Sequence, residues 1–122
     1  VDVGAYLVDA IGFNEDWIMS LFSRVKRFGK PVYSAEWGTM TFKGAYANPW
    51  LLPSAGQDYP YDEDEQASYV RRYCEFMNQA RISGCFYTQY NEDYDKGYGL
   101  YNPVTRKRKK GFYMYKSYQR TP

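Results

Sequence analysis

Glu36 is the residue whose type and setting could do chemistry. It ends a short run opened by Pro31 and is followed at once by Trp37 and Gly38. A carboxylate can act as nucleophile, general acid or general base, and a large aromatic beside it excludes water. A group that attacks an anomeric carbon must be ionised and fixed in direction, and a strand end fixes it better than a loop does. The plainer role for the same residue is a strand-end Glu paired with a neighbouring Arg. The chain has no His. That removes Ser-His and Cys-His catalysis and most zinc sites.

Other clusters invite chemistry and have bland readings beside it. Asp62-Glu63-Asp64-Glu65 could pass for paired catalytic carboxylates, but acids at a helix start cap it and offset its dipole. Asn91, Asp93 and Asp95 have the alternate spacing of a calcium loop. Lys96 stands where that pattern demands Gly, and no bidentate Glu follows, so no metal is expected. Cys74 and Cys85 match no metal or disulfide framework and are expected as buried free thiols. Arg106-Lys107-Arg108-Lys109-Lys110 could contact phosphates, with Tyr98, Tyr101, Phe112 and Tyr113 stacking on bases. A solvated basic loop is the preferred reading, because the rest of the chain shows no basic stripe. Tyr46, Trp50, Tyr59 and Tyr61 could line a sugar subsite or pack their loop onto its own core.

The elements that must position Glu36 follow from periodicity. Residues 1–7 suit a strand, which opens as though already under way, so the natural N-terminus is expected elsewhere. Asn14 stands as a helix cap before Glu15 and Asp16. Ile18, Leu21, Phe22, Val25 and Phe28 then form one apolar stripe, and Gly29 closes the helix. Residues 31–37 read as a second strand, with Val32, Ser34 and Glu36 on one face and Tyr33 and Ala35 on the other. Val32 and Ser34 are thereby expected on the inward face. Residues 38–61 form a long loop, and a helix follows from Asp62, with Ala67, Val70, Cys74 and Met77 on one face. Residues 85–90 read as a third strand, residues 94–110 as loop, and 111–118 as a short terminal helix. Strands alternating with helices of this size predict an α/β fold with a parallel sheet, in which ligands bind at the C-terminal strand ends.

Composition fits this class. The chain has 122 residues, with 44% hydrophobic and 25% charged, which is ordinary for one globular unit. Aromatics reach 20%, including 15 Tyr, and such amphipathic surfaces suit sugars, bases or protein partners. A net charge of +2 is too small to argue for nucleic acid. No apolar run approaches the ~20 residues of a membrane span.

Two stretches resemble known enzymes. Lys30-Pro31-Val32-Tyr33-Ser34-Ala35-Glu36-Trp37-Gly38 resembles the nucleophile strand of clan A glycoside hydrolases. Tyr87-Thr88-Gln89-Tyr90-Asn91-Glu92-Asp93, followed by Gly99-Leu100-Tyr101 and the basic turn at 106–110, is similar to the last-strand region of that clan. It is most like glycoside hydrolase family 2, the β-galactosidase and β-glucuronidase family. Tyr90 stands where many clan members have Trp, and Trp37 where the family often has Phe. The resemblance implies a (β/α)₈ TIM barrel of which this chain supplies about the last three βα units, a C-terminal portion of the catalytic domain. It implies a retaining β-glycosidase forming a covalent intermediate on Glu36, with Tyr6, Trp37, Tyr90 and Asn91 beside the sugar. No cofactor, metal, nucleic acid or membrane is called for; the partners are a carbohydrate substrate and the remainder of the barrel, in the same or a partner chain. The clan's acid/base follows an Asn on the fourth strand, which this chain does not contain, and neither Glu92 nor Asp93 matches it. The alternatives are a non-catalytic carbohydrate-binding barrel fragment and a nucleic-acid module using 106–110.

Overall fold

The apolar stripe and the acidic start do produce the first helix. In the computed structural model, which describes residues 2–4, 8–9, 12–13, 15–49 and 58–119, helix α1 spans Glu15–Lys26. Glu15 and Asp16 lie in its first turn and Arg24 and Lys26 in its last, both complementing the helix dipole. Ile18 and Phe22 are fully buried, with Leu21 and Val25 packed at the margin. Phe28, expected on this stripe, is instead 73% exposed because the helix stops before it. Gly29 takes φ +66°, a left-handed conformation that suits glycine at a helix end. The cap expected at Asn14 and the site residue Tyr6 lie outside the described residues.

The sheet is parallel, as the alternation of elements predicts. Strands β1 (Asp2–Gly4), β4 (Tyr33–Glu36) and β5 (Gly84–Cys85) lie in the order β1-β4-β5, with β4 central. An antiparallel hairpin of β2 (Val8–Asp9) and β3 (Gly12–Phe13) follows β1. The third strand, expected over residues 85–90, is short as a formal strand but keeps its ladder to β4 further along. Phe86 N–H donates to Ser34 O at 2.8 Å and Thr88 N–H to Trp37 O at 3.0 Å. Among the described residues the three strands form an open sheet, and no barrel closes.

Helix α2 (Glu63–Gln79) covers one face of that sheet. Asp62 caps it, its carboxylate accepting from Asp64 N–H at 2.9 Å. The rest of the acidic run is structural too. Glu65 accepts from Tyr46 N–H at 2.9 Å and Asp64 pairs with Lys110 at 2.8 Å. Glu63 accepts from the Tyr61 hydroxyl at 2.6 Å and from Lys110 N–H at 2.9 Å. Lys110 is the first residue of α3 (Lys110–Ser117), so Glu63 supplies the cap that Lys109 does not. Arg72 grips Glu15 with two hydrogen bonds, 2.7 and 2.5 Å, and ties α2 to α1. No described helix is long and apolar enough to cross a membrane.

The region read as loop over 94–110 holds a small antiparallel hairpin, β6 (Tyr101–Asn102) with β7 (Lys107–Arg108). The Asn102 side chain accepts from Val104 and Thr105 N–H, which closes the turn. Arg106, Lys107, Arg108 and Lys110 are exposed, as expected of a solvated basic loop, but Lys109 is wholly buried. Its ammonium donates to Thr41 Oγ1 at 2.8 Å. Within the long loop, Phe42 packs on Tyr59 at 4.7 Å between ring centres, while Tyr46 meets Tyr69 edge-on at 5.9 Å. For these residues packing, not subsite lining, is the observed role. Trp50 lies outside the described residues.

Burial pushes the Lys109 amine down to about 8, against the partial attraction of Glu92, Glu63 and Asp95. The folded chain therefore holds fewer protons than the unfolded chain between pH 8 and the ordinary lysine value. Stability must rise with pH across that window. Between about pH 7.5 and 10 the wild type should gain on the order of 2 kcal/mol more than Lys109→Met. Urea unfolding across that range measures it, and parallel pH profiles for the two proteins would contradict it.

Candidate active site at the end of the central strand

A strict strand alternation puts Glu36 on the same face as Ser34, and the structure does not. Ser34 is buried, its hydroxyl 2.5 Å from the Tyr73 hydroxyl on α2. Val32 is buried in the same core. Both therefore face the helical layer, which corrects their assignment to a barrel interior. Trp37 faces that layer as well, three residues after Ser34. Its ring stacks on Tyr73 with centroids 4.1 Å apart and planes 1° apart.

Three residues cannot bring a regular strand back to the same face, and the extra one is visible in both neighbours. On one side Val3 pairs with Ser34 and Gly4 with Glu36, skipping Ala35. On the other, the two-residue step from Phe86 to Thr88 spans the three-residue step from Ser34 to Trp37. This β-bulge turns Glu36 away from the helices while Trp37 stays among them. Glu36 is exposed, at the C-terminal end of the central parallel strand. Among the described residues no hydrogen bond or ion pair holds its carboxylate, so the Arg-paired role is not what is observed. The open face that it shares also carries Tyr33 and Phe86, whose rings lie 5.9 Å apart, Phe86 being 56% exposed.

Trp37 was expected beside the sugar and is corrected here. It is 0% exposed. Tyr73 stacks on its ring, and Tyr87 and Tyr115 meet it edge-on at 5.0 and 5.9 Å. No face is left for a pyranose, and Trp37 acts instead as the anchor of the strand end. Its backbone is held equally firmly. Thr88 Oγ1 accepts from Trp37 N–H at 2.8 Å and donates to Trp37 O at 2.6 Å. Thr88 is the positioning residue that sequence reasoning missed, although it lies within the Tyr87-Thr88-Gln89 motif. Gly38 is closely packed: a Cβ there would lie 3.2 Å from the Tyr87 and Tyr98 rings, which would have to give by a few tenths of an ångström. The Tyr87 phenol donates to Tyr98 O at 2.9 Å and receives Gln66 Nε2 at 3.2 Å, and burial raises its pKa above the ordinary range.

Tyr90 and Asn91 lie beyond Thr88, after the ladder to the central strand has ended. Tyr90 is 48% exposed, packs near Phe112 and Tyr101, and takes a 3.4 Å hydrogen bond from Arg108. It lines an open cavity of about 300 Å³ with Phe86, Gln89 and Phe112. Asn91 is exposed, and its carbonyl accepts from Gln89 Nε2 at 3.0 Å. No hydrogen bond or ring contact ties either residue to Glu36 among those described. Glu92 turns to the backbone of its own loop, accepting from Gly99 N–H.

No family model matches the sequence, and no curated protein does. Among solved structures, the chain is similar to a GH113 beta-1,4-mannanase determined as a complex. The TM-score is 0.62 at 18% identity, over 98% of this chain and 38% of that one. At that identity the likeness shows the fold alone, an α/β fold shared with part of a barrel-like glycoside hydrolase. The chain spans well under half of the neighbour's length. The expected likeness to glycoside hydrolase family 2 receives no support, since the neighbour carries a different family number.

A stacked, fully buried Trp and a half-exposed Tyr differ in what their removal costs. Trp37→Ala should destabilise the protein by about 3–5 kcal/mol, as for other buried aromatics truncated in cores. Tyr90→Ala should cost about 1 kcal/mol or less. Denaturant midpoints of the two variants decide the matter, and a Trp37 variant within about 0.5 kcal/mol of wild type would show that the ring is not the anchor.

Proposed function

We propose that the chain forms part of the catalytic domain of a retaining β-glycosidase, with Glu36 as the nucleophile. The supporting observation is the bulge at Ala35 and Glu36. It presents Glu36 on the open face of a parallel sheet, with no hydrogen bond or ion pair to its carboxylate among the described residues, at the strand end where such folds bind ligands. Attack on the anomeric carbon forms a glycosyl-enzyme intermediate, which water then hydrolyses. A second carboxylic acid about 5–5.5 Å away must protonate the leaving oxygen and later activate the water. That group, with the remaining strands, belongs to the rest of the barrel in the same or a partner chain. The substrate is a carbohydrate. The neighbour's beta-1,4-mannanase activity makes β-1,4-linked mannosides the first class to try, with β-galactosides as the comparison. Tyr90, on its open cavity, is the aromatic best placed to meet a sugar outside the cleavage point, with Asn91 next to it.

Glu36→Gln in the full-length protein should lower kcat on aryl β-mannosides or β-galactosides by at least ~10³-fold. Its melting temperature should stay near that of wild type, since the carboxylate is exposed and no described residue bonds to it. Near-normal turnover would sink the assignment, and sugar binding with no hydrolysis by wild type would favour a non-catalytic carbohydrate-binding fragment. The 122-residue chain by itself should not turn over, because a complete barrel takes typically ~250 residues. A folded monomer with Glu36-dependent turnover would contradict that.

A further inference from the structure

Cys74 and Cys85 stand 11 positions apart in sequence, one on the buried face of α2 and one on β5. Both are free thiols, Cys74 buried and Cys85 half-buried. Cys85 packs against the buried core cluster that contains Cys74. Both also line one open cavity of about 380 Å³, with Tyr33, Phe86, Tyr115 and Tyr118 among its walls. Both thiols line the cavity, but Cys74 is only 2% exposed while Cys85 is half-buried, so Cys85 is the more accessible of the two. That is the arrangement of an attacking thiol with a resolving thiol behind it.

We propose that Cys74 and Cys85 form a reversible redox pair, oxidised to a disulfide by a low-molecular-weight disulfide of the glutathione type. The Cys85 sulfur attacks one sulfur of the small disulfide, whose S–S bond breaks. One small thiol leaves with the proton of the Cys85 thiol, and a mixed disulfide remains. The Cys74 sulfur then attacks Cys85 Sγ and expels the second small thiol, which takes the Cys74 proton. Two protein thiols are oxidised by two electrons and one small disulfide is reduced to two thiols. The order of attack follows access and electrostatics together. Contact with Cys74 holds the Cys85 thiol below the usual thiol range, while that contact and burial push Cys74 above it.

The product would pin β5 to α2. Tyr115 already donates to Cys85 O at 2.7 Å, so the cross-link would join α2, β5 and α3 at one point. Three residues further along, Thr88 clamps Trp37, so the same strand both carries the thiol and holds the end of the central strand. A native-state cross-link closing a short loop raises the melting temperature by restricting the unfolded chain.

The test is incubation of the native full-length protein with oxidised glutathione, followed by thiol titration, intact mass and peptide mapping. The expected result is loss of both thiols, a mass lower by two hydrogens, and a linked peptide pair carrying Cys74 and Cys85. Dithiothreitol should reverse it, and the oxidised form should melt several degrees higher. Cys74→Ala should stop at a glutathione adduct on Cys85, and Cys85→Ala should leave Cys74 unmodified. Melting curves of both variants, run first, establish that they fold. Persistence of both free thiols in wild type, a lasting glutathione adduct on wild-type Cys85, or a disulfide between chains would each overturn the proposal.

Discussion

Trp37 and Tyr73 lie face to face, 4.1 Å apart, where the central strand ends against α2. Much else takes its position from that stack. Tyr73 also holds Ser34 through its hydroxyl, so one α2 residue grips the central strand at two points three residues apart. Full burial of a side chain of this size contributes a few kcal/mol, roughly 3, with a further ~1 from the aromatic geometry. Both grips can be satisfied at once only if the strand between them gains a residue, and Ala35 is that residue. The bulge is therefore the cost of seating Ser34 and Trp37 in one helical layer, and its consequence is that Glu36 faces outward. A regular strand would have sent the carboxylate into the core, where an unpaired charge is strongly disfavoured.

The outer shell is held by polar contacts aimed at backbone. Gln66, wholly buried on α2, reaches Tyr98 O at 3.0 Å and Gly99 O at 3.2 Å, fixing the loop after the third strand. Gly111 of α3 lies against the same side chain, and a Cβ there would come within 2.6 Å of Gln66 Oε1. Thr41 donates to Gly97 O at 2.8 Å while receiving Lys109. Through these bonds α2, α3 and the two long loops lock around the aromatic centre. Phe86 and Tyr90 stay partly exposed, on a cavity that they share with α3.

Helix existence and the strand-end position of Glu36 were legible, since both rest on local pattern. The Ile18–Phe22 spacing and the Asp62 cap act within a few residues of themselves, whereas the strand expected from Pro31 begins at Tyr33. The bulge was not legible, because no Gly or unusual residue marks Ala35. It arises from register against two strands, one of them some fifty residues away. Trp37 was misassigned because a place beside a strand end does not fix the face that the ring takes. Thr88 lay in a motif that could be read, but its work is a backbone clamp on a distant strand. Lys109 was read with its basic neighbours, and only the packing of Thr41 and Gly97 around it explains why one of five cations is buried. The proximity of Cys74 and Cys85 likewise depends on how α2 crosses β5.

The central claim is that the bulge turns Glu36 outward to act on a sugar. Covalent trapping tests it most directly. The full-length protein would be incubated with a 2-deoxy-2-fluoro β-glycoside bearing a good leaving group, then digested and mapped by mass spectrometry. The account predicts a single glycosylated peptide modified at Glu36. A label on any other carboxylate would contradict it.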